Sequence, residues 1–285
     1  MEEVRYKENV NAKFLSTYRG GGNVRFVVYP TTISMIRKVI TFARSEGIPF
    51  FILGNGSNTL ITDKLHNSIF INTKFMDKVS FSGNNIYSGC GTNIKRLYNI
   101  SYNLGLSGLE ELALIPATIG GLTVSGGGCF GREIADLIVD VDVLNLSTLV
   151  VERIPINDIN FAYRYCDLKG KYLVIGVRLK LALCDKQDIL SRFNECKSCR
   201  QNTQPKLCSL GSVYKREDYI PAKLIDSLGL KGFSVGGAMV SNKHANFIVN
   251  TGNGTATDYI RVMEKIESRV YSEFAVNLKR EINII

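Results

Sequence analysis

A glycine-rich pentapeptide directly after an apolar run has the composition of a phosphate-binding loop. The pentapeptide is Gly54-Asn55-Gly56-Ser57-Asn58, and the run before it is IPFFILG. A strand that opens into such a turn presents successive backbone N–H groups to phosphate oxygens, and Ser57 and Asn58 add side-chain donors. A tight turn that needs positive φ explains the same glycines equally well. A Walker loop is excluded, because no Gly-Lys-Ser/Thr follows.

A second glycine cluster, IPATIGGLTVSGGGCFG, occupies the middle of the chain. Gly126, Gly128 and Gly131 match the spacing G-x-G-x-x-G. The string does not open a βαβ unit, and no acidic residue ends a second strand, so we reject a Rossmann site. We predict instead a backbone that closely approaches a large flat ligand. Two such loops in one chain favour a dinucleotide bound outside a Rossmann fold.

The cysteines are weaker candidates for a functional site than the two glycine clusters. There are seven of them, and the start MEEVRYKENVN lacks the apolar segment of a secretory signal, so we expect reduced thiols and a cytoplasmic protein. Cys196, Cys199 and Cys208 could supply three thiolates to zinc, with Cys184 or His244 as the fourth ligand. Structural zinc sites usually show a second pair at matching spacing, so we expect no metal.

Composition narrows the class of protein. Apolar residues make up 45% and charged residues 21%, which is typical of a globular chain and excludes disordered and fibrous proteins. No apolar run approaches the ~18 residues of a membrane span. Lysine and arginine number 35 against 26 acidic residues, a net charge of +9, but the positive charges are scattered and tryptophan is absent. Small anionic ligands therefore fit better than nucleic acid.

Strands and helices must position these loops. VRFVVYP, the helix in TISMIRKVITFARSEG and IPFFILG predict a strand, helix, strand unit, with Gly47 ending the helix. IFIN, VSFSG, NIYSG and YLVIGVRLKLAL predict further strands, while IKRLYNISYNLG and ILSRFNECKSCRQ predict helices. Near the C-terminus, TATDYIRVMEKIESRVYSEFAV predicts an amphipathic helix and LKREINII a last strand. The helix should bury one apolar stripe, formed by Ile260, Met263, Ile266, Val270 and Phe274.

A series of motifs, in one order, resembles a single family of flavoenzymes. The series is FILGNGSNTLITD, IPATIGGLTVSGGGCFGREIAD, FAYRYCDLKG, SLGSVYKR, IPAKLIDSLGLKG with VGGAMVSNKHANFIVN, and LKREINI. From about Asn9 to the C-terminus the chain is similar to the UDP-N-acetylenolpyruvoylglucosamine reductases, which make UDP-N-acetylmuramate for peptidoglycan. No long tyrosine-bearing insertion lies between Arg164 and Ser212, so the chain resembles the shorter subtype.

The resemblance implies an α+β fold. Its first part is the FAD-binding fold shared with vanillyl-alcohol oxidase, made of two α+β subdomains, and a smaller α+β substrate-binding domain follows. We expect the subdomains at residues 1–80 and 81–186 and the substrate domain at 187–285, with the C-terminal strand returning to the active site.

The resemblance also implies the reaction and its catalytic residues. NADPH reduces FAD, and hydride then passes to the enolpyruvyl β-carbon while negative charge develops on the carboxylate. Ser212 matches the donor of a proton to the α-carbon, and Arg164 matches the arginine that binds the carboxylate. Glu281 matches a glutamate that faces the developing enolate, where a donating carboxyl group must be protonated.

Further residues follow from the same resemblance. Gly54, Asn55, Gly56, Ser57 and Asn58 match the segment at the FAD pyrophosphate, and Ala117, Thr118, Gly121 and Gly127 the segment near the flavin, with FAD held non-covalently. Lys215, Arg216, His244 and Asn246 are the expected substrate contacts, and a structural role for His244 stays open. The chain departs from the usual family pattern at three places: Gly126 replaces Asn, Tyr165-Cys166 replaces Asp-Ser, and Arg216 replaces Asn.

Two other functions are weighed against the reductase. An oxidase of alcohols or sugars with the same fold would need no Ser/Arg/Glu set directed at an enolate. A basic nucleic-acid-binding module would need clustered Lys and Arg interleaved with aromatic residues, which the sequence lacks. We therefore expect small-molecule substrates and no nucleic-acid or membrane partner.

Overall fold

The chain forms two compact units that alternate along the sequence. The computed structural model describes residues 4–285. Unit 1 comprises the described part of Met1–Lys7, Phe26–Asn55 and Ser68–Cys199. Unit 2 comprises Glu8–Arg25, Gly56–Asn67 and Arg200–Ile285. The predicted boundaries at residues 80 and 186 concern subdomains rather than these units, and they stay a prediction.

Helices and strands alternate over most of the chain. The α-helices of residues 4–285 are α1 (Ile33–Ser45), α2 (Ile94–Asn103), α3 (Ile119–Val124), α4 (Lys186–Thr203), α5 (Pro221–Ser227) and α6 (Ala256–Phe274). Short 3-10 helices cover Ala12–Phe14, Ile134–Leu137 and Ile156–Asp158. The strands are β1 (Arg5–Asn11), β2 (Asn23–Tyr29), β3 (Phe50–Leu53), β4 (Thr59–Leu60), β5 (His66–Asn72), β6 (Val79–Ser82), β7 (Asn85–Gly89), β8 (Leu106–Ser107), β9 (Gly128–Cys129), β10 (Arg132–Glu133), β11 (Ile138–Asn145), β12 (Val151–Pro155), β13 (Phe161–Ala162), β14 (Tyr165–Cys166), β15 (Tyr172–Lys180), β16 (Ala182–Leu183), β17 (Cys208–Ser212), β18 (Ser234–Val235), β19 (Ala238–Val240), β20 (Phe247–Asn250) and β21 (Asn283–Ile284).

Unit 1 contains a five-stranded antiparallel sheet with the order β12-β11-β15-β7-β6. Its central strand is β15, the predicted YLVIGVRLKLAL strand, and most of its residues are buried. A second sheet has the order β1-β2-β5-β3, in which β3 runs parallel to β5. The predicted strand, helix, strand unit is present as β2, α1 and β3, with β5 between the two strands.

Helix α1 shows why the local sequence forms its element. The Thr32 side chain accepts a hydrogen bond from the Met35 amide and caps the first turn. Ile36, Ile40 and Ala43 have no exposed surface and join the core of unit 1. Gly47 follows the helix with φ +64°, the left-handed conformation in which glycine is favoured.

Unit 2 has its own core around a four-stranded antiparallel sheet of order β17-β20-β19-β18. Helix α6 packs on β18 and β19. Its residues Met263, Ile266 and Val270 are fully buried, as the sequence predicts. Of the other residues expected on this stripe, Ile260 is half-buried and Phe274, the last helical residue, is 37% exposed. The predicted strand LKREINII is regular only at β21, which pairs in parallel with β4.

Candidate active site

The two segments predicted to bind FAD meet within unit 1. The Asn55 side-chain amide donates to the Pro116 carbonyl at 2.6 Å. A Cβ added at Gly54 would lie 2.5 Å from Thr118 Oγ1, so only glycine allows this approach. The turn after β3 therefore packs directly on the residues that precede α3.

Helix α3 forms inside the glycine-rich segment. The Thr118 side chain caps it by accepting from the Gly121 amide at 3.3 Å. The Ile119 and Gly120 amides donate to Thr92 and Cys90 carbonyls. The first amides of α3 are thus paired within the protein, so this helix terminus is part of the scaffold.

The remaining predicted phosphate-binding residues lie in unit 2, between β3 and β4. Within residues 4–285, the backbone amides of Gly56, Ser57 and Asn58 donate to no protein acceptor. Gly56 has φ +64°, and a Cβ there would overlap the Leu15 carbonyl. Consecutive unpaired amides next to a left-handed glycine are the donor set of an anion-binding nest. These residues fit the pyrophosphate of FAD.

Arg164 is held in unit 1 by the second glycine cluster. Its Nη2 donates to the Gly128 carbonyl at 2.9 Å, and its Nη1 donates to the Gly126 carbonyl at 3.4 Å. Nη1 also lies 3.4 Å from the Glu133 carboxylate, and the guanidinium lies over the Tyr163 ring at 4.7 Å. Only 18% of the Arg164 side chain is exposed. The arginine is therefore oriented before any ligand binds.

Two of the departures from the family pattern lie against each other. Gly126 has φ +56°, and a Cβ at this position would overlap the backbone carbonyl oxygen of Tyr165. The Tyr165 backbone can approach this closely only because residue 126 has no side chain.

Ser212 and Glu281 come together in unit 2. Ser212 ends β17, opposite Phe247 of β20, after an irregularity in the strand pairing. Gly211 has φ +81°, so the chain bulges there and redirects the serine. The Glu281 amide donates to the Val213 carbonyl at 2.8 Å, so the glutamate lies beside the residue that follows Ser212. Both Ser212 and Glu281 are half-buried.

Asn58 connects Glu281 to the predicted phosphate-binding turn. Its side-chain amide donates to the Glu281 carbonyl at 3.3 Å, and its own carbonyl accepts from Asn283 at 3.0 Å. The C-terminal segment therefore lies along both Ser212 and the turn within unit 2. That the C-terminal strand returns to the active site stays a prediction.

The expected substrate contacts differ in their surroundings. Asn246 is buried, and both ends of its amide bond the Tyr214 backbone, at 2.9 and 3.0 Å. His244 Nδ1 accepts a hydrogen bond from the backbone N–H of Asn246 at 3.3 Å. The His244 ring packs on Phe247, and burial lowers the pKa of the imidazole. These contacts support the structural alternative for His244. Lys215 is half-buried, and Arg216 is exposed.

Sequence reasoning missed Glu133 as a partner of Arg164. A Cβ added at Gly128 would overlap the Glu133 carboxylate, so the glycine makes room for this acid. Burial raises the Glu133 pKa, and the nearby Arg164 opposes that rise. The available signal was an acidic residue two positions after the last glycine of the cluster.

The cysteines form neither disulfides nor a metal site within the described part of the chain. All seven are free thiols, and burial raises the pKa of Cys90 to about 12. No group of three or more His, Cys, Asp or Glu side chains among residues 4–285 is placed to hold a metal ion. In the same residues, no helix combines the length and apolarity needed to cross a membrane.

Comparison with known proteins defines the class. A family model described as "FAD binding domain" matches residues 24–152. A solved cholesterol oxidase, 14% identical, aligns with a TM-score of 0.52 over 63% of this chain and 38% of its own, which shows a shared fold. The predicted α+β flavoprotein fold is thus confirmed, and the protein is an FAD-dependent oxidoreductase.

More specific matches identify the family. The model "UDP-N-acetylenolpyruvoylglucosamine reductase, C-terminal domain" matches residues 204–285. The enzyme of that name from Carboxydothermus hydrogenoformans is 35% identical, covering 100% of this chain and 99% of its own. The solved reductase from Thermus caldophilus is 31% identical, with a TM-score of 0.84 over 100% of this chain and 99% of its own. The chain belongs to the UDP-N-acetylenolpyruvoylglucosamine reductase family.

Proposed function

We propose that the protein reduces the enolpyruvyl group of UDP-N-acetylenolpyruvoylglucosamine to UDP-N-acetylmuramate, with NADPH as the reductant, in the cytoplasm. The observation that carries the proposal is the hydrogen bond from the Glu281 amide to the Val213 carbonyl, which places Glu281 beside the residue that follows Ser212 in unit 2. Family membership supplies the reaction, and this contact places the backbone of an acidic residue next to the segment that carries the serine. The substrates are small molecules that carry phosphates and a carboxylate, in keeping with the scattered basic residues.

When bound, FAD would supply the hydride chemistry that links NADPH to the β-carbon of the enolpyruvyl group. The Gly56, Ser57 and Asn58 amides would hold its pyrophosphate, with Gly54 and Asn55 at the start of the same turn. Ala117, Thr118, Gly121 and Gly127 would lie near the flavin. Each of these contacts uses backbone or short side chains, which allows close approach of a planar ligand.

Arg164 binds the substrate carboxylate. Hydride addition to an α,β-unsaturated carboxylate places negative charge on the carboxylate oxygens. A guanidinium stays charged at all working pH values and offers two parallel N–H donors. Because Arg164 is already fixed by two carbonyl groups, its charge stabilises the transition state with little reorganisation.

Ser212 donates the proton that completes the reduction. The enolate-like species is a strong base, so a serine hydroxyl is acidic enough to protonate its α-carbon. Glu281 orients that hydroxyl or replenishes its proton. Lys215 and Arg216 follow on the same chain segment and would bind the UDP diphosphate. Asn246 supports this segment through its bonds to the Tyr214 backbone, and His244 contacts Asn246.

A two-step assay of Ser212→Ala tests the proposal. NADPH should still bleach the absorbance of bound FAD, while transfer to UDP-N-acetylenolpyruvoylglucosamine should fall by about 10²–10⁴-fold, the usual contribution of a positioned proton donor. Ser209→Ala is the matched control, because Ser209 is half-buried on the same strand and its backbone carbonyl is what bonds Thr17. Equal transfer rates in both variants would remove Ser212 from the mechanism.

A further inference from the structure

We propose that Glu133 is a positioning residue for Arg164: it fixes the guanidinium in the orientation that receives the substrate carboxylate. The inference rests on the proposed function, since it takes Arg164 to be the carboxylate-binding group. It concerns a residue that neither the glycine motif nor the catalytic set includes.

The contacts define a three-point support. Arg164 donates from Nη2 to the Gly128 carbonyl and from Nη1 to the Gly126 carbonyl. The Glu133 carboxylate, 3.4 Å from Nη1, is the charged member of the set. Carbonyl groups direct the guanidinium but leave its charge uncompensated, and a side chain that is 18% exposed has lost most of its hydration. The carboxylate stabilises the charge of the partly buried arginine.

Glu133 itself is rigidly placed. It pairs with Gly128 across β9 and β10, and its amide donates to the Asp136 carboxylate at 3.0 Å. The next amide, of Ile134, donates to the Gly127 carbonyl at 3.0 Å. Glu133 and the Gly128 carbonyl therefore belong to one hairpin, and Gly126 lies two residues before its first strand. The backbone pairing of this hairpin thus fixes the spacing between the Glu133 carboxylate and the carbonyl that accepts from Nη2.

Gly128 shows that the sequence makes room for this arrangement. A Cβ there would overlap Glu133 Oε2. Any other residue at position 128 would displace the carboxylate from the arginine. Gly128 therefore leaves space for the ion pair between Glu133 and Arg164, in addition to allowing the close approach of backbone and ligand that the motif predicts.

The test is a double-mutant cycle with separate half-reactions. Glu133→Ala should lower the rate of substrate reduction about 10- to 100-fold, the cost of a misplaced catalytic group, and leave FAD reduction by NADPH within about threefold. Glu133→Gln should give an intermediate rate, because its amide oxygen still accepts from Nη1 but carries no charge to stabilise the guanidinium. Glu195→Gln, which removes an exposed carboxylate of α4, is the control and should leave both half-reactions unchanged.

The second arm repeats Glu133→Ala in an Arg164→Lys background. If Glu133 acts through Arg164, its removal there should change the rate less than about twofold, because coupled residues are not additive. A full, independent loss in that background, or a parallel loss of both half-reactions, would show a structural role and overturn the inference. If Arg164→Lys alone leaves substrate reduction intact, the proposed role of Arg164 fails instead. This outcome is measured on the single Arg164 variant and does not depend on Glu133.

Discussion

Asn246 completes the hydrogen bonding of the strand segment that follows Ser212. Tyr214 pairs with Arg280 in an isolated antiparallel bridge, where the bonds to the neighbouring segment come from Lys215 and Glu281 on either side. The N–H and C=O of Tyr214 therefore face away from that segment. The Asn246 amide satisfies both of them, at 3.0 and 2.9 Å, in a buried environment.

Truncation of this side chain leaves two buried backbone groups without partners. Each unsatisfied group costs about 1–3 kcal/mol, so Asn246→Ala should lower the free energy of unfolding by about 2–6 kcal/mol. Asn246→Asp keeps the acceptor for the Tyr214 amide but loses the donor to its carbonyl, and should fall between the wild type and the alanine variant. Substrate reduction should decline as well, because the segment carries Ser212 two residues earlier.

Urea unfolding followed by far-ultraviolet circular dichroism measures the effect, at one fixed FAD concentration because a bound ligand adds to apparent stability. The matched control is Asn242→Ala, which removes an exposed amide of the neighbouring loop and should change stability by less than about 0.5 kcal/mol. Equal midpoints for the Asn246 and Asn242 variants would refute the reasoning, since they would show that the Tyr214 backbone needs no side-chain partner.

Three further outcomes are expected. Gly126→Ala should destabilise the protein by about 1–3 kcal/mol more than Gly131→Ala, because both glycines have positive φ but only Gly126 lacks space for a Cβ; thermal unfolding compares them. Met263→Ala should cost about 2–5 kcal/mol in urea unfolding, since the side chain is fully buried in the core of unit 2. In a pH profile, kcat for substrate reduction should fall as the pH drops through the pKa of Glu133. Burial raises this pKa, and the charge of Arg164 opposes the rise. Glu133→Gln should lack this acidic limb.

The elements with strong local signals were predictable from the sequence. Helix α6 repeats apolar residues at helical spacing after the Thr255 and Asp258 capping box, so the helix was predictable, and its predicted stripe is buried at Met263, Ile266 and Val270. Strand β15 was equally clear, because a long β-branched run buried on both sides has few alternatives.

Helix α3 could not be predicted from its residues. Gly120 and Gly121 are poor helix formers, and the six-residue helix exists because Thr118 caps it and Cys90 and Thr92 accept its first amides. The acceptors lie 27 residues from Ile119 and 30 residues from Gly120 in the sequence, beyond the reach of local propensity. Tertiary contacts overrode the local preference.

The site was predictable where a motif marked it and not where long-range contacts made it. Ser212, Glu281 and Arg164 were assigned through family resemblance, since a lone serine, arginine or glutamate carries no signal of its own, and their roles stay predictions. Glu133 lies 31 residues from Arg164 in the sequence, and only the folded hairpin brings the two together. The amide of Asn246 was expected to contact substrate, whereas the structure shows it bonded to the Tyr214 backbone.

The support of Arg164 by main-chain carbonyls has an evolutionary consequence. A carbonyl oxygen belongs to the main chain, so the orientation of the arginine depends on the path of the backbone, and Gly126 and Gly128 allow that path because neither position has room for a side chain. The chain carries Gly126 and Tyr165-Cys166 in place of the residues usual in its family, and Arg164 still has both carbonyl partners. Substitutions in the neighbouring sequence leave the support of Arg164 intact as long as the backbone that carries the two carbonyl groups keeps its path.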